Sequence, residues 1–266
     1  MGQNAALDTA SPEGAALTLA ELAPFLVMIA AVAALYSSVG HGGASGYIAV
    51  LGFTALSGVA VSSTALTMNL LVAGIALFAY SRQGHFQWRI VWPFLITSIP
   101  AAFVGGRFKL EEATYFLVLA AVLLFAAIRL VMRKKSGTEE RPIPLVPALA
   151  FGVVIGLLSG VVGVGGGIFL SPLIILLGWA GAKETAAASA LFILVNSGAG
   201  ILGRVSTEQY EPSVFLPHLL LAGLVGAILG ATIGAKKLKP LTVQRVLGAV
   251  LFIASMKMVY QYGFAV

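Results

Sequence analysis

Long apolar runs separated by short charged breaks dominate this sequence. No Asp, Glu, Lys or Arg occurs between Glu21 and Arg82, or between Arg141 and Lys183. A helix needs about 20 apolar residues to cross the hydrocarbon of a bilayer, so each run can hold more than one spanning segment. The pattern predicts a polytopic membrane protein.

Charged residues, glycines and prolines divide the chain into apolar segments on either side of one polar stretch. We place these segments at 22–39, 44–56, 59–80, 90–107 and 112–131, then at 145–162, 166–179, 184–203, 213–234 and 241–261. Runs rich in Ala and Leu, whose backbone must satisfy itself in lipid, are predicted to be helices. The alternating segments of about ten residues that are typical of a transmembrane barrel are absent. We therefore expect an all-α fold.

The second half of the chain repeats motifs of the first half. The matching pairs are Gly40-His41-Gly42-Gly43 with Gly163-Val164-Gly165-Gly166, Thr64-Ala65-Leu66 with Ser189-Ala190-Leu191, and Pro93 with Pro217. We divide the chain into a polar N-terminal tail (1–21), a first transmembrane repeat (22–131), a linker (132–144) and a second repeat (145–262). Because each repeat has an odd number of segments, about five, the second is expected to be inverted relative to the first.

The distribution of basic residues supports this topology. If the acidic N-terminus lies outside, the inner loops carry about 12 Lys and Arg residues and the outer loops about 4, as the positive-inside rule requires. The linker 132–144 is then cytoplasmic. The tail up to Glu21 has no Lys or Arg, so we expect no signal peptide.

Composition narrows the class of protein further. The 266 residues are 59% hydrophobic and only 10% charged, with a mean hydropathy of +0.99, whereas soluble domains carry about 25% charge. The net charge of +6 follows the inner loops, so it indicates membrane topology and not binding to nucleic acid. With no cysteine, disulfides, thiolate metal sites and cysteine nucleophiles are excluded.

Two glycine-rich turns are the candidate functional site: the first is Gly40–Gly43 and the second is Gly163–Gly167. Each precedes a segment too short to span comfortably, 44–56 or 166–179, so 22–56 and 145–179 either cross fully or form re-entrant hairpins. Broken helices of inverted repeats place a binding site near mid-membrane, where helix N-termini and their unpaired N–H groups favour an anion. The alternative is close helix packing through small residues.

The candidate substrate-binding residues lie in these turns and just downstream of them. They are Gly40, His41, Gly42, Gly43, Ser45, Thr64, Asn69, Gly163, Gly165, Gly166, Gly167, Ser189 and Asn196. Hydroxyls and amides donate to an oxyanion without adding a fixed charge, although such side chains also hydrogen-bond between helices. His41, which faces Val164 in the repeat, either donates to the anion or is a neutral histidine bonded to a backbone carbonyl.

Several kinds of site are missing from the sequence. No Asp or Glu falls in the middle of a segment, so a carboxylate proton relay has no position. The glycine motifs lack the lysine of a nucleotide-binding loop, and no cluster of His and carboxylates fits a catalytic metal. We expect no catalytic residues and no cofactor, and the alternatives to a transporter are a passive anion channel or a membrane enzyme acting on a phosphate ester.

From about residue 22 onward the chain resembles the TauE/SafE family of sulfite exporters and related anion permeases. The residues that carry the resemblance are Tyr36-Ser37-Ser38-Val39-Gly40-His41-Gly42-Gly43-Ala44-Ser45-Gly46-Tyr47, Gly160-Val161-Val162-Gly163-Val164-Gly165-Gly166-Gly167-Ile168-Phe169-Leu170-Ser171-Pro172 and Phe192-Ile193-Leu194-Val195-Asn196-Ser197. The resemblance implies transport of small sulfur-containing anions such as sulfite, sulfoacetate or thiosulfate across the inner membrane. It leaves open the substrate, the direction, a coupling ion and the oligomeric state.

Overall fold

The computed structural model describes residues 19–54, 56–131 and 141–236, together with 252–253, 255–256, 258–260 and 262. These residues are helical or lie in connecting turns and contain no strand. The helices are α1 (Leu19–Ser37), α2 (Ala44–Leu51), α3 (Gly58–Arg82), α4 (Trp88–Gly106), α5 (Glu112–Val131), α6 (Leu145–Val162), α7 (Gly167–Leu176), α8 (Ala182–Val205) and α9 (Leu216–Lys236). Most of the tail 1–21, of the linker 132–144 and of the segment 241–261 lies outside the described residues.

Five of the described helices are long and apolar enough to cross a membrane. They are α3, α4, α6 and α8 over their full lengths and α9 over Leu216–Gly234. The predicted all-α polytopic fold is therefore confirmed. The predicted segments 112–131 and 145–162 have the same bounds as α5 and α6, because charges mark both ends of the first, and Pro144 and Gly163 mark the ends of the second.

Two helices are too short to cross a membrane alone. Helix α2 has 8 residues and α7 has 10, and at a rise of about 1.5 Å per residue they extend roughly 12 and 15 Å, about half the thickness of the hydrocarbon. Each follows a longer helix across a glycine turn: α2 follows α1, and α7 follows α6. The chain thus contains two broken helix pairs, one in each half.

The helices of the two halves interleave. Five helix pairs join the two halves: α4 with α6, α1 with α9, α4 with α8, α3 with α9, and α3 with α8. Exchanging each helix for its counterpart in the other half (α1 for α6, α3 for α8, α4 for α9) leaves this set of contacts unchanged. That is the pairing expected of a pseudo-twofold arrangement; the inverted orientation of the repeats stays a prediction.

Glycines at every fourth position line two of these contacts, those of α4 with α6 and of α1 with α9. They are Gly152, Gly156 and Gly160 in α6 and Gly226, Gly230 and Gly234 in α9. The glycines of α6 face the backbone carbonyl oxygens of Phe94, Ser98 and Ala102 in α4. Those of α9 face the carbonyl oxygens of Ala30 and Ala34 in α1 and of Ser38 just after it. A Cβ at any of the six would lie less than 3.0 Å from that oxygen. We call these contacts the α4–α6 and α1–α9 glycine seams; residues four apart share one helix face, so each seam is continuous.

Candidate functional site

Asn69 lies where α3 and α8 are in contact, and it is fully buried. Its Oδ1 accepts a hydrogen bond from the N–H of Ala44, the first residue of α2, at 3.1 Å. Its Nδ2 donates to the Oγ of Ser197 in α8 at 3.2 Å. One side chain therefore links the start of a short helix to both long central helices.

Both glycine turns contact this asparagine. A Cβ on Gly42 would collide with the Oδ1 of Asn69, and a Cβ on Gly165 would lie 2.5 Å from its Nδ2. The same two Cβ positions lie 2.9 Å from the Cγ2 of Ile193 in α8. The structure thus brings together two turns that are more than a hundred residues apart in the sequence, and glycine at both positions leaves room for the asparagine.

The turns end in the same backbone conformation. Gly43, the N-cap of α2, has φ 97°, and Gly166, the N-cap of α7, has φ 79°. Residues with a side chain rarely adopt this left-handed region, so the sequence needs glycine at both positions. Neither N-cap has a side chain that could accept a hydrogen bond from the first turn of its helix.

As a result, the turns hold buried N–H groups without an acceptor. Among the described residues, no hydrogen-bond acceptor pairs with the backbone N–H groups of Gly42, Gly43 and Ser45 at the first turn, or of Gly165, Gly166, Gly167 and Ile168 at the second. Buried backbone N–H groups are almost always paired in proteins. Open donors at the positive ends of two helix dipoles make a site that favours negative charge.

His41 extends from the first turn to the second. Its Nδ1 is 3.0 Å from the carbonyl oxygen of Val39, which can only accept, so Nδ1 carries a proton. Its Cδ2 lies 3.7 Å from the position of a Cβ on Gly167. The partly buried imidazole is therefore bonded to a backbone carbonyl, as one of the two hypotheses expected, and also lines the second turn.

The predicted hydroxyls have partners elsewhere in the fold. The Oγ of Ser45 lies 2.8 Å from the hydroxyl of Tyr36, and that of Ser189 lies 2.6 Å from the Oγ of Ser171. The Oγ1 of Thr64 accepts from the N–H of Ser213, before α9, at 2.8 Å. These three hydroxyls hold neighbouring segments together, and the structure shows none of them bonded to Asn69.

The first glycine of each turn packs against a central helix of the other half. A Cβ on Gly40 would collide with the backbone of Ala186 in α8, and a Cβ on Gly163 would lie 2.8 Å from the Cβ of Ser62 in α3. These two positions correspond in the repeat, as do the helices they touch. The close-packing alternative therefore describes Gly40 and Gly163, while Gly42 and Gly165 lie at the asparagine.

Asn196 does not take the position opposite Asn69. Its Nδ2 donates to the carbonyl oxygen of Phe192 in its own helix at 2.8 Å, and its Oδ1 has no donor among the described residues. Successive residues of a helix point about 100° apart, so only one of Asn196 and Ser197 can face α3. Ser197 is that residue.

Sequence reasoning also missed a buried arginine next to the second turn. Arg204 is 3% exposed, and its Nη2 donates to the carbonyl oxygens of Gly160 at 3.0 Å and Val161 at 3.2 Å. The hydroxyl of Tyr115 donates to the next carbonyl, that of Val162, at 3.0 Å. The signal that could have revealed Arg204 is its position: α8 extends to Val205, beyond the predicted end at 203, so the arginine is part of the helix and not of a loop.

Comparison with known proteins establishes the family. The pattern described as "Sulfite exporter TauE/SafE" matches residues 25–258. A protein of Sinorhizobium fredii, named "Probable membrane transporter protein y4hK", is 37% identical over 234 residues, which cover 86% of this chain and 94% of that protein. No solved structure matches the chain. The chain belongs to the TauE/SafE family of membrane transporters.

Proposed function

We propose that this protein exports a small sulfur-containing oxyanion or organosulfonate, such as sulfite, sulfoacetate or thiosulfate, across the cell inner membrane. The observation that carries the proposal is the set of buried, unpaired N–H groups at the two glycine turns around Asn69. Membership of the TauE/SafE family supplies the substrate class.

The uncharged hydrogen-bond donors of the turns suit a transporter, which must bind an anion and then release it. Backbone N–H groups and the Asn69 amide carry no net charge, so they can replace part of the hydration of an oxyanion without the strong attraction of a fixed cation. No carboxylate belongs to this group of residues. The left-handed glycines keep the turns free of Cβ atoms, which lets the backbone approach a small ligand closely.

Export needs little coupling machinery. An inside-negative potential favours outward movement of an anion by about 2.3 kcal/mol per charge per 100 mV. In the described part of the chain, acidic residues occur only near helix ends or between helices, so a carboxylate relay for proton-coupled uptake has no position there. The proposed topology is that of a multi-pass protein with its N-terminus outside and residues 132–144 in the cytoplasm.

The proposed mechanism is alternating access between two inverted halves. The exchange symmetry of the helix contacts and the paired glycine turns support it, since broken helices of inverted repeats commonly hold the substrate at their interface. The site at Asn69 is then shared by both halves: α3 and the first turn come from one half, α8 and the second turn from the other.

The test is flux through purified protein in liposomes. Vesicles loaded with sulfite, thiosulfate or sulfoacetate are given a potential that favours anion efflux, and efflux is compared with that of protein-free vesicles. We expect saturable efflux of at least one anion. Absence of flux for all three would contradict the proposal, and a non-saturating, ohmic conductance would establish the passive channel instead.

A further inference from the structure

A cavity of about 340 Å³ opens where three interhelical connections meet. These are the connections before α3, between α4 and α5, and between α8 and α9, which the charge pattern predicts to be on the outer face. The cavity is lined by Ser62, Tyr115, Arg204, Lys109, Glu208 and Glu211, among others. Nothing in the glycine-turn site described above uses it.

The floor of this cavity is a buried cation. Arg204 caps the C-terminus of α6 through one nitrogen, Nη2, which bonds to the carbonyls of Gly160 and Val161. Its Nε is buried and has no acceptor among the described residues. The guanidinium also lines the cavity, and no acceptor among the described residues bonds to its other terminal nitrogen, Nη1.

Among the described residues, the charge of Arg204 has no counterion. In the described ranges, no carboxylate lies within 4.0 Å of it, and the negative end of the α6 dipole together with two carbonyls is its only compensation. A buried charge without a paired partner is unfavourable. An anion in the cavity would supply the missing charge and an acceptor for Nη1.

The carboxylates around the mouth line the cavity but do not pair directly with the guanidinium. Glu111, Glu112, Glu208 and Glu211 line the cavity, and all four are exposed, as is Lys109. Charges in contact with water are screened over about 10 Å, whereas the buried guanidinium is screened much less. The cavity thus has an acidic rim and a cationic floor.

The cavity adjoins the second glycine turn. Ser62, in its wall, is the residue against which Gly163 packs, at 2.8 Å between the Cβ of Ser62 and a Cβ placed on the glycine. Tyr115, also in the wall, bonds to the carbonyl of Val162, immediately before that turn. Arg204 therefore lies beside the second glycine turn as well as in the wall of the cavity.

We propose that Arg204 holds a small sulfur oxyanion in this cavity, as a second anion site separate from the turns at Asn69. The guanidinium donates a terminal N–H, that of Nη1, to an oxygen of the anion in a charge-assisted hydrogen bond. This site rests on the proposed function for the identity of its ligand. The acidic rim weakens the site, so that an exported anion is released and does not accumulate.

The test measures binding of sulfite and of thiosulfate to detergent-purified protein through the rise in unfolding temperature that each anion causes. Replacing Arg204 by Gln should raise the anion concentration for half-maximal stabilisation about tenfold, the effect of losing one hydrogen bond to a charged group. The matched control is Arg107→Gln, an exposed arginine that stacks on Phe103 with its Cζ 5.9 Å from the ring centroid. It should leave binding unchanged.

A second pair of variants addresses the fold and the site at Asn69. Because Arg204→Gln removes a helix cap and can affect folding, a second variant changes only exposed residues of the rim. Glu208→Gln combined with Glu211→Gln should lower the half-maximal anion concentration roughly two- to fourfold, because it removes repulsion between the carboxylates and the anion. In an Asn69→Ala background, adding Arg204→Gln should again raise the anion concentration for half-maximal stabilisation about tenfold.

Two results would overturn the second site. One is a folded Arg204→Gln protein that binds both anions as the unaltered protein does, and the other is a rim variant with unchanged binding. If the unaltered protein moves no anion in liposomes but loses binding on Arg204→Gln, the transport proposal fails while the Arg204 site stands. If the protein transports an anion saturably but its anion binding does not change on Arg204→Gln, the Arg204 site fails and the transport proposal stands.

Discussion

The Nδ2 of Asn69 donates a 3.2 Å hydrogen bond to the Oγ of Ser197, from the centre of α3 to the centre of α8. The bond fixes the orientation of the amide, because the opposite oxygen then accepts from the first N–H of α2. With Gly42 on one side of the amide and Gly165 on the other, this contact ties both glycine turns to one pair of helices.

Replacing Asn69 by Ala should lower the rate of anion transport about 10- to 100-fold, since a hydrogen bond at a charged ligand contributes about 1.5–3 kcal/mol. The control is Asn196→Ala, which removes a bond to Phe192 of the same helix and should have a much smaller effect. Initial flux into proteoliposomes, normalised to folded protein, measures both. If both variants lost the same fraction of the flux, Asn69 would not be part of the anion site.

Gly165→Ala should abolish most transport while the protein still inserts in the membrane. The added Cβ lies 2.5 Å from the Nδ2 of Asn69, and the φ of +73° strains any residue with a side chain. Gly198→Ala is the matched control in α8, because its Cβ meets only the Cδ2 of Leu70 at 3.9 Å, an ordinary contact. Retained flux in the first variant would mean that the turn does not hold the anion closely.

Gly156→Ala should destabilise the α4–α6 seam. Its Cβ would lie 2.7 Å from the Cα of Ser98, and backbone on both sides cannot move aside as a side chain can. Overpacking of this kind typically costs about 1–3 kcal/mol. Gly223→Ala in α9 should be nearly neutral, since it meets the flexible end of Met68 at 3.1 Å. Unfolding in detergent compares the two, and equal stability would contradict the seam.

Tyr80→Phe should destabilise the end of α1. The hydroxyl of Tyr80 donates to the carbonyl of Ser38 at 2.8 Å in a buried position, and a buried carbonyl left unpaired costs about 1–3 kcal/mol. The control Tyr210→Phe loses a 2.8 Å contact to Thr67 in a partly exposed place, where water can substitute. A larger loss of stability in the control would count against this role.

Tyr80 and Arg204 have corresponding positions in the two halves. Each lies near the end of a central helix, α3 or α8, and each donates to carbonyls at the end of the broken helix, α1 or α6. The first is neutral and the second is charged. The repeat is therefore asymmetric at its caps as well as at His41 and Val164.

The helices could be predicted from sequence because bilayer thickness and breaks by charges, glycines and prolines determine where each one ends. The short helices after Gly43 and Gly166 were predictable for the same reason. The side-chain contacts were not, since they depend on how each helix is rotated about its axis. Asn69 and Asn196 each lie a few residues beyond the matching triplets Thr64-Ala65-Leu66 and Ser189-Ala190-Leu191, yet Ser197 is the residue that faces Asn69. Arg204 lies beyond the predicted segment 184–203, yet α8 extends past it.

The seams have a consequence for assembly. Each seam joins a helix of the first half, which supplies a ridge of carbonyls, to a helix of the second half, which supplies the glycine groove. Neither half contains both faces of a seam, so neither can complete its packing before the other has been made. A fragment ending at the linker would expose the carbonyl ridges of both seams to lipid. The packing units of this fold are therefore the helix pairs α1 with α9 and α4 with α6, each of which joins the two halves of the chain.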